Sequence, residues 1–528
     1  MTSSPTMHQS LPQHTGGFFA STLRRRQLTS YPDTRARMRY LAVAVIACVA
    51  LHYESYVIGG VTPLLLSYFK TSLSYYISVR VAAGVVGAFL SLFAGLTDRW
   101  GRGNLIVYGM GVTALLTLLT PMAPNRAAFF IVVGAASVIE GILVLATMSL
   151  VRDFSPQVGR ATSMGFWCLG PVLGSFIVST MATTTLPILR TWQSQYYICG
   201  AIGALCFLFA LFCLRELPPS IRDQVIVSAA DQKLIEAQAE EATRQVDVSH
   251  PWRQMARADI IAPAFAMSLF LIVYVTLVSF FTLFLTTNYG FSTATATGIT
   301  AWAWVAGTFA LVIAGAVSDR LRVRKPFMLG GALLVVAMTY ALLTKTDDPN
   351  TSTASLSVIV ILLNIGYSTA YVPWLASFTE TIERRNPALT ATGLSIFGWT
   401  ERLTISFSVF VLPYVVTTSS VLVDAPSVLA EAKKLPEGTE PPPDLAERLA
   451  QVNEAMAIGP GQWQSWWWFC IVAELSLIPS ILLMAGRWRP RTARADLEAH
   501  KQEVARLTKS ATVDTHDKAG TMDSKADR

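Results

Sequence analysis

The sequence predicts an all-α integral membrane protein of twelve transmembrane helices in two six-helix halves. Three observations carry this. First, 52% of the 528 residues are hydrophobic and 14% charged, with a mean hydropathy of +0.45. Soluble globular chains carry about a quarter charged residues, so a chain this long has too few charges to cover itself with a polar surface, which excludes a soluble enzyme. Second, the apolar residues fall in blocks of about 20, enough to cross a bilayer as a helix. Third, charged turns recur at corresponding places in the two halves.

In chain order, residues 1–38 form a polar tail containing Arg24, Arg25 and Arg26, with no early apolar core and no cleavage-like site, so no cleaved leader is expected. Six candidate spans follow at 40–66, 73–95, 104–122, 127–150, 161–183 and 194–214, making a first half over 39–214. A charged linker at 215–257 includes 231–246, whose alanine and charge content reads as a surface helix begun near Ser228. The second half, 258–486, has spans at 258–285, 294–317, 326–344, 354–378, 390–417 and 466–486. It is interrupted by an extracytoplasmic insertion at 418–465, where seven acids face Lys433, Lys434 and Arg448. The Pro-rich middle of this insertion separates two short helices, and Trp466, Trp467 and Trp468 mark the return through the interface. Residues 487–528 form a second tail.

The net charge of +7 suggests nucleic acid, but the basic residues lie in short groups between apolar blocks and not on one face, so no nucleic-acid partner is expected. With twelve spans both tails share one side. That side collects Arg99, Arg102, Arg152, Arg160, Arg320, Arg322, Arg324, Arg384, Arg385 and Arg487, which places it in the cytoplasm of a plasma or inner membrane by the positive-inside rule. Six cysteines all lie in apolar blocks. Cys199, Cys206 and Cys213 recur every seven residues as a helix stripe too widely spaced for disulfides, and packing is their expected role. No zinc spacing, phosphate loop or nucleophile elbow occurs in an appropriate context, so neither metal nor cofactor is expected.

The turn after the second span, Ala94 to Asn104, and that after the eighth, Gly315 to Lys325, echo one another. A gapped echo joins Ser155–Trp167 to Asn386–Trp399. Two such halves are a signature of transporters that rock about a central site. The chain resembles the major facilitator superfamily over roughly residues 38–487. The family turn pattern is matched by Asp98, Arg99, Gly101 and Arg102, with Ala94 and Gly103 departing from it. In the second copy it is matched by Gly315, Asp319, Arg320 and Arg324, with Arg322 in place of a glycine. The resemblance implies a latch in which each aspartate pairs with arginines of neighbouring cytoplasmic ends in one conformation. The plain alternative is a basic turn that sets topology.

The first span, His52 to Pro63, is similar to the superfamily pattern of an acid nine residues before a proline, found in proton-driven drug antiporters and in organic-acid proton symporters. Glu54, Gly59 and Pro63 match, while Leu51 stands where aromatic-acid symporters have a second acid. A carboxyl near mid-membrane is costly when ionised and alone, so Glu54 is expected to bind and release a proton as the cavity opens and closes; a packing carboxyl is the alternative. Glu140 shares a helix face with Ser137 and Thr147. Glu401 and Arg402 are adjacent, hence about 100° apart on a helix, so each seeks a partner elsewhere. Glu140, Glu401, Arg402, Tyr53, Trp167 and Tyr367 form the expected substrate cavity, and an ion pair between the halves is the alternative for the charges. Gly170, Pro171 and Gly174 resemble the family's bend in the fifth span, where small residues admit a neighbouring helix.

These readings converge on a monomeric, non-enzymatic secondary transporter in a lipid bilayer, carrying a small organic solute with protons as coupling ion. Organic-acid symport, drug-efflux antiport and a non-transporting sensor or assembly factor that binds a partner at 418–465 are the three functional alternatives.

Overall fold

The computed structural model describes residues 26–70, 73–96, 98, 101–224, 226, 247, 249–291, 293–348, 350–433, 441–496, 498–499 and 502. The surface helix expected at 231–246 lies outside them. So do Arg99 and the side chain of Arg80. Among the described residues there is no β-sheet; one isolated bridge pairs Gln27 with Glu216.

The first half contains α1 (Thr34–Phe69), α2 (Leu73–Ser91, continued by a 3-10 turn over Leu92–Leu96), α3 (Arg102–Leu119), α4 (Arg126–Phe154), the interrupted pair α5 (Arg160–Trp167) and α6 (Leu169–Leu189), and α7 (Trp192–Cys213). The second contains α8 (Ala258–Ser279) and α9 (Phe281–Tyr289), then α10 (Thr293–Leu321), α11 (Lys325–Lys345), α12 (Thr353–Glu383), α13 (Thr390–Val415), α14 (Ser419–Ala432) and α15 (Pro443–Leu475). Ten helices among the described residues are long and apolar enough to cross a membrane. The second and eleventh of the expected spans are the remaining two. In α2 the apolar stretch is short, Val81–Ser91, and α13 carries Glu401 and Arg402 in its middle.

Helix starts follow local chemistry. Asp33 accepts from the Ala36 N–H at 2.8 Å, Asn125 from Ala128 at 2.9 Å and Ser352 from Ser355 at 3.2 Å, each satisfying an amide that the first turn leaves orphaned. Ile131, Phe176, Phe212 and Phe309 point outward, as lipid-facing side chains do. Between helices, lipid supplies no hydrophobic drive, so close approach of small residues matters. A Cβ on Gly331 of α11 would fall 2.6 Å from the Gly366 carbonyl oxygen of α12.

In each half the sixth span packs against the first and the third: α7 against α1 and α3, α15 against α8 and α11. The halves meet reciprocally, α2 on α13 and α5 on α10. Residues 26–31 belong to the first half, not to a free tail. Leu28 N–H donates to the Glu216 carbonyl at 3.0 Å, Arg26 lies 5.4 Å over the Tyr108 ring, and Tyr31 is buried.

The insertion differs from the two short helices expected before re-entry. Its second helix is α15 itself, unbroken from Pro443 past the tryptophans to Leu475. The helix runs through the breaker signal Gly459-Pro460-Gly461, and Gln462, just after it, anchors the helix by accepting from the Thr418 N–H at 3.1 Å and hydroxyl at 2.9 Å. Leu422, Val428, Leu445 and Val452 make a small separate core between α14 and α15.

Candidate functional site

A cavity of about 430 Å³ lies between the halves. It is lined from the first half by His52, Ser55 and Tyr56 of α1, Ser137 and Glu140 of α4, and Trp167 and Pro171 at the α5–α6 interruption. The second half contributes Tyr274, Trp304, Thr308, Asn364, Tyr367, Tyr371, Glu401 and Arg402. It reaches Phe130 and Val409 near the ends of α4 and α13 remote from the tails. On the tail side it stops at Leu145, Met148, Leu311 and Phe397.

Five of the six expected cavity residues line it. Tyr53 does not: it is buried among Val57, Phe129 and Tyr196 inside the first half. The reason is helical phase. Positions 52, 55 and 56 share the cavity face, and steps of 100° turn 53 and 54 away from it. Glu54 therefore also lies off the cavity, buried beside Gly203 of α7, where a Cβ would collide with its carboxyl. Thr113 of α3 stands beside Glu54, which also lies within electrostatic reach of Glu140.

Arg402 crosses from α13 to the first half. Its guanidinium occupies the space a side chain at Gly141 would need and lies near Gly87, within electrostatic reach of Glu401, Glu140 and Tyr56. Trp167 is held by donating Nε1–H to the Thr147 hydroxyl at 3.0 Å. His52 Nδ1 is 2.8 Å from its own helix's Cys48 carbonyl oxygen, which leaves it bonded locally. Opposite, Tyr274 and Tyr367 stack at 4.6 Å, and the stack continues through Tyr371 at 5.3 Å. Gly174 admits α1: a Cβ there would fall 2.7 Å from His52 Cβ and 3.1 Å from the Tyr53 nitrogen. The helix interruption itself falls at Cys168, two residues before Gly170 and three before Pro171.

On the tail side the two turns grip the opposite half through its helix starts. Asp98 accepts from the Ala391 N–H at 3.1 Å and from the Thr392 N–H and hydroxyl at 2.9 and 3.0 Å, at the start of α13. Asp319 accepts from the Ala161 N–H at 3.3 Å and from the Thr162 N–H and hydroxyl at 2.7 and 2.6 Å, at the start of α5. Each aspartate caps a helix of the other half, where unpaired amides and the helix dipole favour a carboxylate. Each aspartate also pairs with an arginine of the neighbouring tail-side helix start, and Arg324 donates across to the Gln157 carbonyl at 3.0 Å. Arg102 pairs with Asp98 at 2.8 Å and with Asp153, and Arg324 pairs with Asp319 at 2.6 Å and Glu380 at 3.2 Å. Arg320 is exposed.

Gly315 meets the Ala161 carbonyl, and in the first copy Gly95 makes a close approach to Thr392. The 3-10 turn over Leu92–Leu96 shifts the register by one residue. Gly101 needs its φ of +90°, and Arg322 takes the corresponding left-handed turn at φ +58°. Glu216 explains Gly103: it accepts from the Gly103 N–H at 2.8 Å and the Asn104 amide at 3.2 Å, filling the space of a side chain at 103. Burial pushes the Glu216 carboxyl above its ordinary value, against the pull of the Gly103 N–H. A further lock joins Glu383 of α12 to Arg152 and, at 2.6 Å, to Arg160.

Sequence reasoning missed Thr162, Thr392, Glu383, Asn364 and Tyr274. The first two were visible as the Ala-Thr pair shared by the gapped echo, and Asn364 as an amide inside an apolar block. Glu383 carried no signal beyond its place beside a basic pair.

Two helical halves, a polar cavity between them and reciprocal caps on one side are the architecture of a membrane transporter. The family model described as the Major Facilitator Superfamily matches residues 44–409, and the chain belongs to that family. Among curated proteins, it is 30% identical over 161 residues to the multidrug resistance protein MdtL of Salmonella typhimurium, covering 29% of this chain and 39% of that protein. To MdtL of Klebsiella pneumoniae subsp. pneumoniae it is 25% identical over 154 residues, covering 28% and 38%. The chain thus spans well under half the length of these relatives. Among solved structures, the proton:xylose symporter XylE bound to 6-bromo-6-deoxy-D-glucose aligns with a TM-score of 0.62 at 16% identity, covering 84% of this chain and 95% of that one. The human organic anion transporter MFSD10 (TETRAN) aligns at 0.54 and 12%, covering 84% and 99%. These last two show the fold.

Proposed function

We propose that this transporter moves a small organic anion together with protons across a plasma or inner membrane, its tails in the cytoplasm, acting as a monomer. The observation that carries this is Arg402. Among the described residues it is the cavity's one arginine or lysine, and it is held across the interface within reach of Glu140 and Glu401. A substrate carboxylate that takes the guanidinium releases one of those acids, which then binds a proton, so anion and proton load together. Glu54, behind Glu140, is the coupling carboxyl in this reading. The stacked tyrosines favour a solute with a flat apolar part. The Asp98 and Asp319 caps act as the cytoplasmic latch, closed while the cavity faces outward.

A thermal-stabilisation screen of aromatic and aliphatic carboxylates, sugars and amphipathic cations identifies the ligand class. Uptake of the best ligand into proteoliposomes is then expected to follow an inward proton gradient, and Glu54→Gln is expected to transport without that dependence. Unchanged proton dependence in Glu54→Gln would remove its coupling role. The second reading, drug-efflux antiport, draws on the aromatic wall and on the similarity to MdtL. Stabilisation by amphipathic cations together with proton-driven extrusion would favour it.

A further inference from the structure

Glu474 belongs to neither the cavity nor the latch. It lies on α15, eight residues after Trp466 and thus about 12 Å along the helix axis from that interface marker. Its side chain is fully buried. The Thr339 hydroxyl of α11 donates to Oε1 at 2.8 Å, and Oε2 has no hydrogen-bond partner among the described residues. The groups around it are uncharged at neutral pH. Cys470, one turn earlier on the same helix, is the titratable neighbour. From α8, Thr276 reaches Cys470 and accepts the Trp466 indole N–H at 3.0 Å. No described lysine, arginine or histidine pairs with the carboxyl.

The arrangement repeats that of Glu54. There too the carboxyl is buried among the first, third and sixth spans of its half. There too a threonine of the third span, Thr113, stands beside the carboxyl, and Oε2 is left without a partner. The first half supplies the acid from its first span and the second half from its sixth, but the junction and the neighbouring threonine of the third span correspond. An ionised carboxylate in such a place is costly without a cation or several donors, and one hydroxyl does not offset that; a bound proton removes the charge.

We infer that Glu474 is a second membrane-embedded proton-binding site, built at the junction in the second half that corresponds to the site of Glu54 in the first, and that it holds its proton while the latch is shut. Glu54 neighbours Glu140 and so communicates with the cavity. Glu474 has no such acid beside it, and its proton is exchanged by movement of α15 against α11 and not through the substrate site. The inference stands independently of Glu54 as coupling carboxyl.

The test is infrared difference spectroscopy of the full chain in vesicles of phosphatidylethanolamine and phosphatidylglycerol at neutral pH, with no ligand added. Subtracting Glu474→Gln from wild type is expected to show a lost carbonyl band of a protonated carboxyl, sensitive to deuterium exchange. Glu54→Gln is expected to keep that band, so failure of the coupling role of Glu54 leaves the result intact. Thr339→Val, which keeps the acid, is expected to shift the band upward by removing its hydrogen bond, and it serves alone if Glu474→Gln does not fold. A loss or shift confined to the ionised-carboxylate region, or no change in the protonated-carboxyl region, overturns the inference.

Discussion

Gly141 shows how far the cavity chemistry depends on a missing side chain. The Arg402 guanidinium lies against α4 because Gly141 has no Cβ at that point. Gly141→Ala is expected to displace the guanidinium and weaken a carboxylate ligand at least tenfold, about 1.4 kcal/mol, read by ligand-induced thermal shift. Gly330 on α11 has open space around it, so Gly330→Ala is expected to leave binding unchanged and to raise stability by up to about 1 kcal/mol. Gly101 is the opposite case: its φ is +90° and a Cβ would fall 2.9 Å from the Glu216 carboxylate. Gly101→Ala is expected to cost about 1–3 kcal/mol, measured as a lower melting temperature. At this scale the buried charges were legible. Glu54, Glu140, Glu401 and Arg402 stand out in apolar blocks because such charges are expensive there. Glu474 has the same signal. Which face each charge takes was not legible, since 52 and 54 differ by two steps of 100° and only the neighbouring helices decide which step faces the cavity.

Among the elements, the helix starts decide how the two halves are held together on the tail side. Asp98 receives two amides and a hydroxyl from the first turn of α13 and is oriented by Arg102. Asp98→Asn keeps the shape and loses the charge. With about 1.5–3 kcal/mol for a hydrogen bond to a charged group, the variant is expected to favour tail-side opening by tenfold or more, read as a label distance across the tail-side ends. Glu216 gives a pH dependence with a defined sign. Burial raises its carboxyl above the ordinary value of about 4.3, so the folded chain holds that proton more tightly than the unfolded chain. Its stabilising contribution is complete below the ordinary value and is lost as the pH rises through the raised one. The melting temperature of wild type is therefore expected to fall relative to Glu216→Gln across that window. The turn motif announced that Asp98 and Asp319 matter. It did not announce their partners, because a helix cap is made by backbone amides, which every sequence possesses.

Across the whole molecule, the structure is a pair of repeats joined by reciprocal contacts: α2 on α13, α5 on α10, and one aspartate from each half on a helix of the other. Glu383 adds a contact without a twin, since it neutralises both Arg152 and Arg160 from across the interface. Glu383→Gln leaves the buried Arg160 guanidinium without its carboxylate and Arg152 with Asp153 alone, at 3.3 Å, and a loss of about 3–5 kcal/mol is expected, seen as a drop in melting temperature larger than that of Asp98→Asn. By itself the sequence determined the membrane class, the two-half architecture and the few residues able to carry charge into the bilayer. Span length, charge scarcity and repeat spacing are local properties of the chain. Only the tertiary structure decided that Arg402 reaches across to Gly141, that Glu54 and Tyr53 turn away from the cavity, and that Asp98 and Asp319 cap helices of the opposite half. Each of these depends on which faces of distant helices meet, and helical phase does not record what lies opposite.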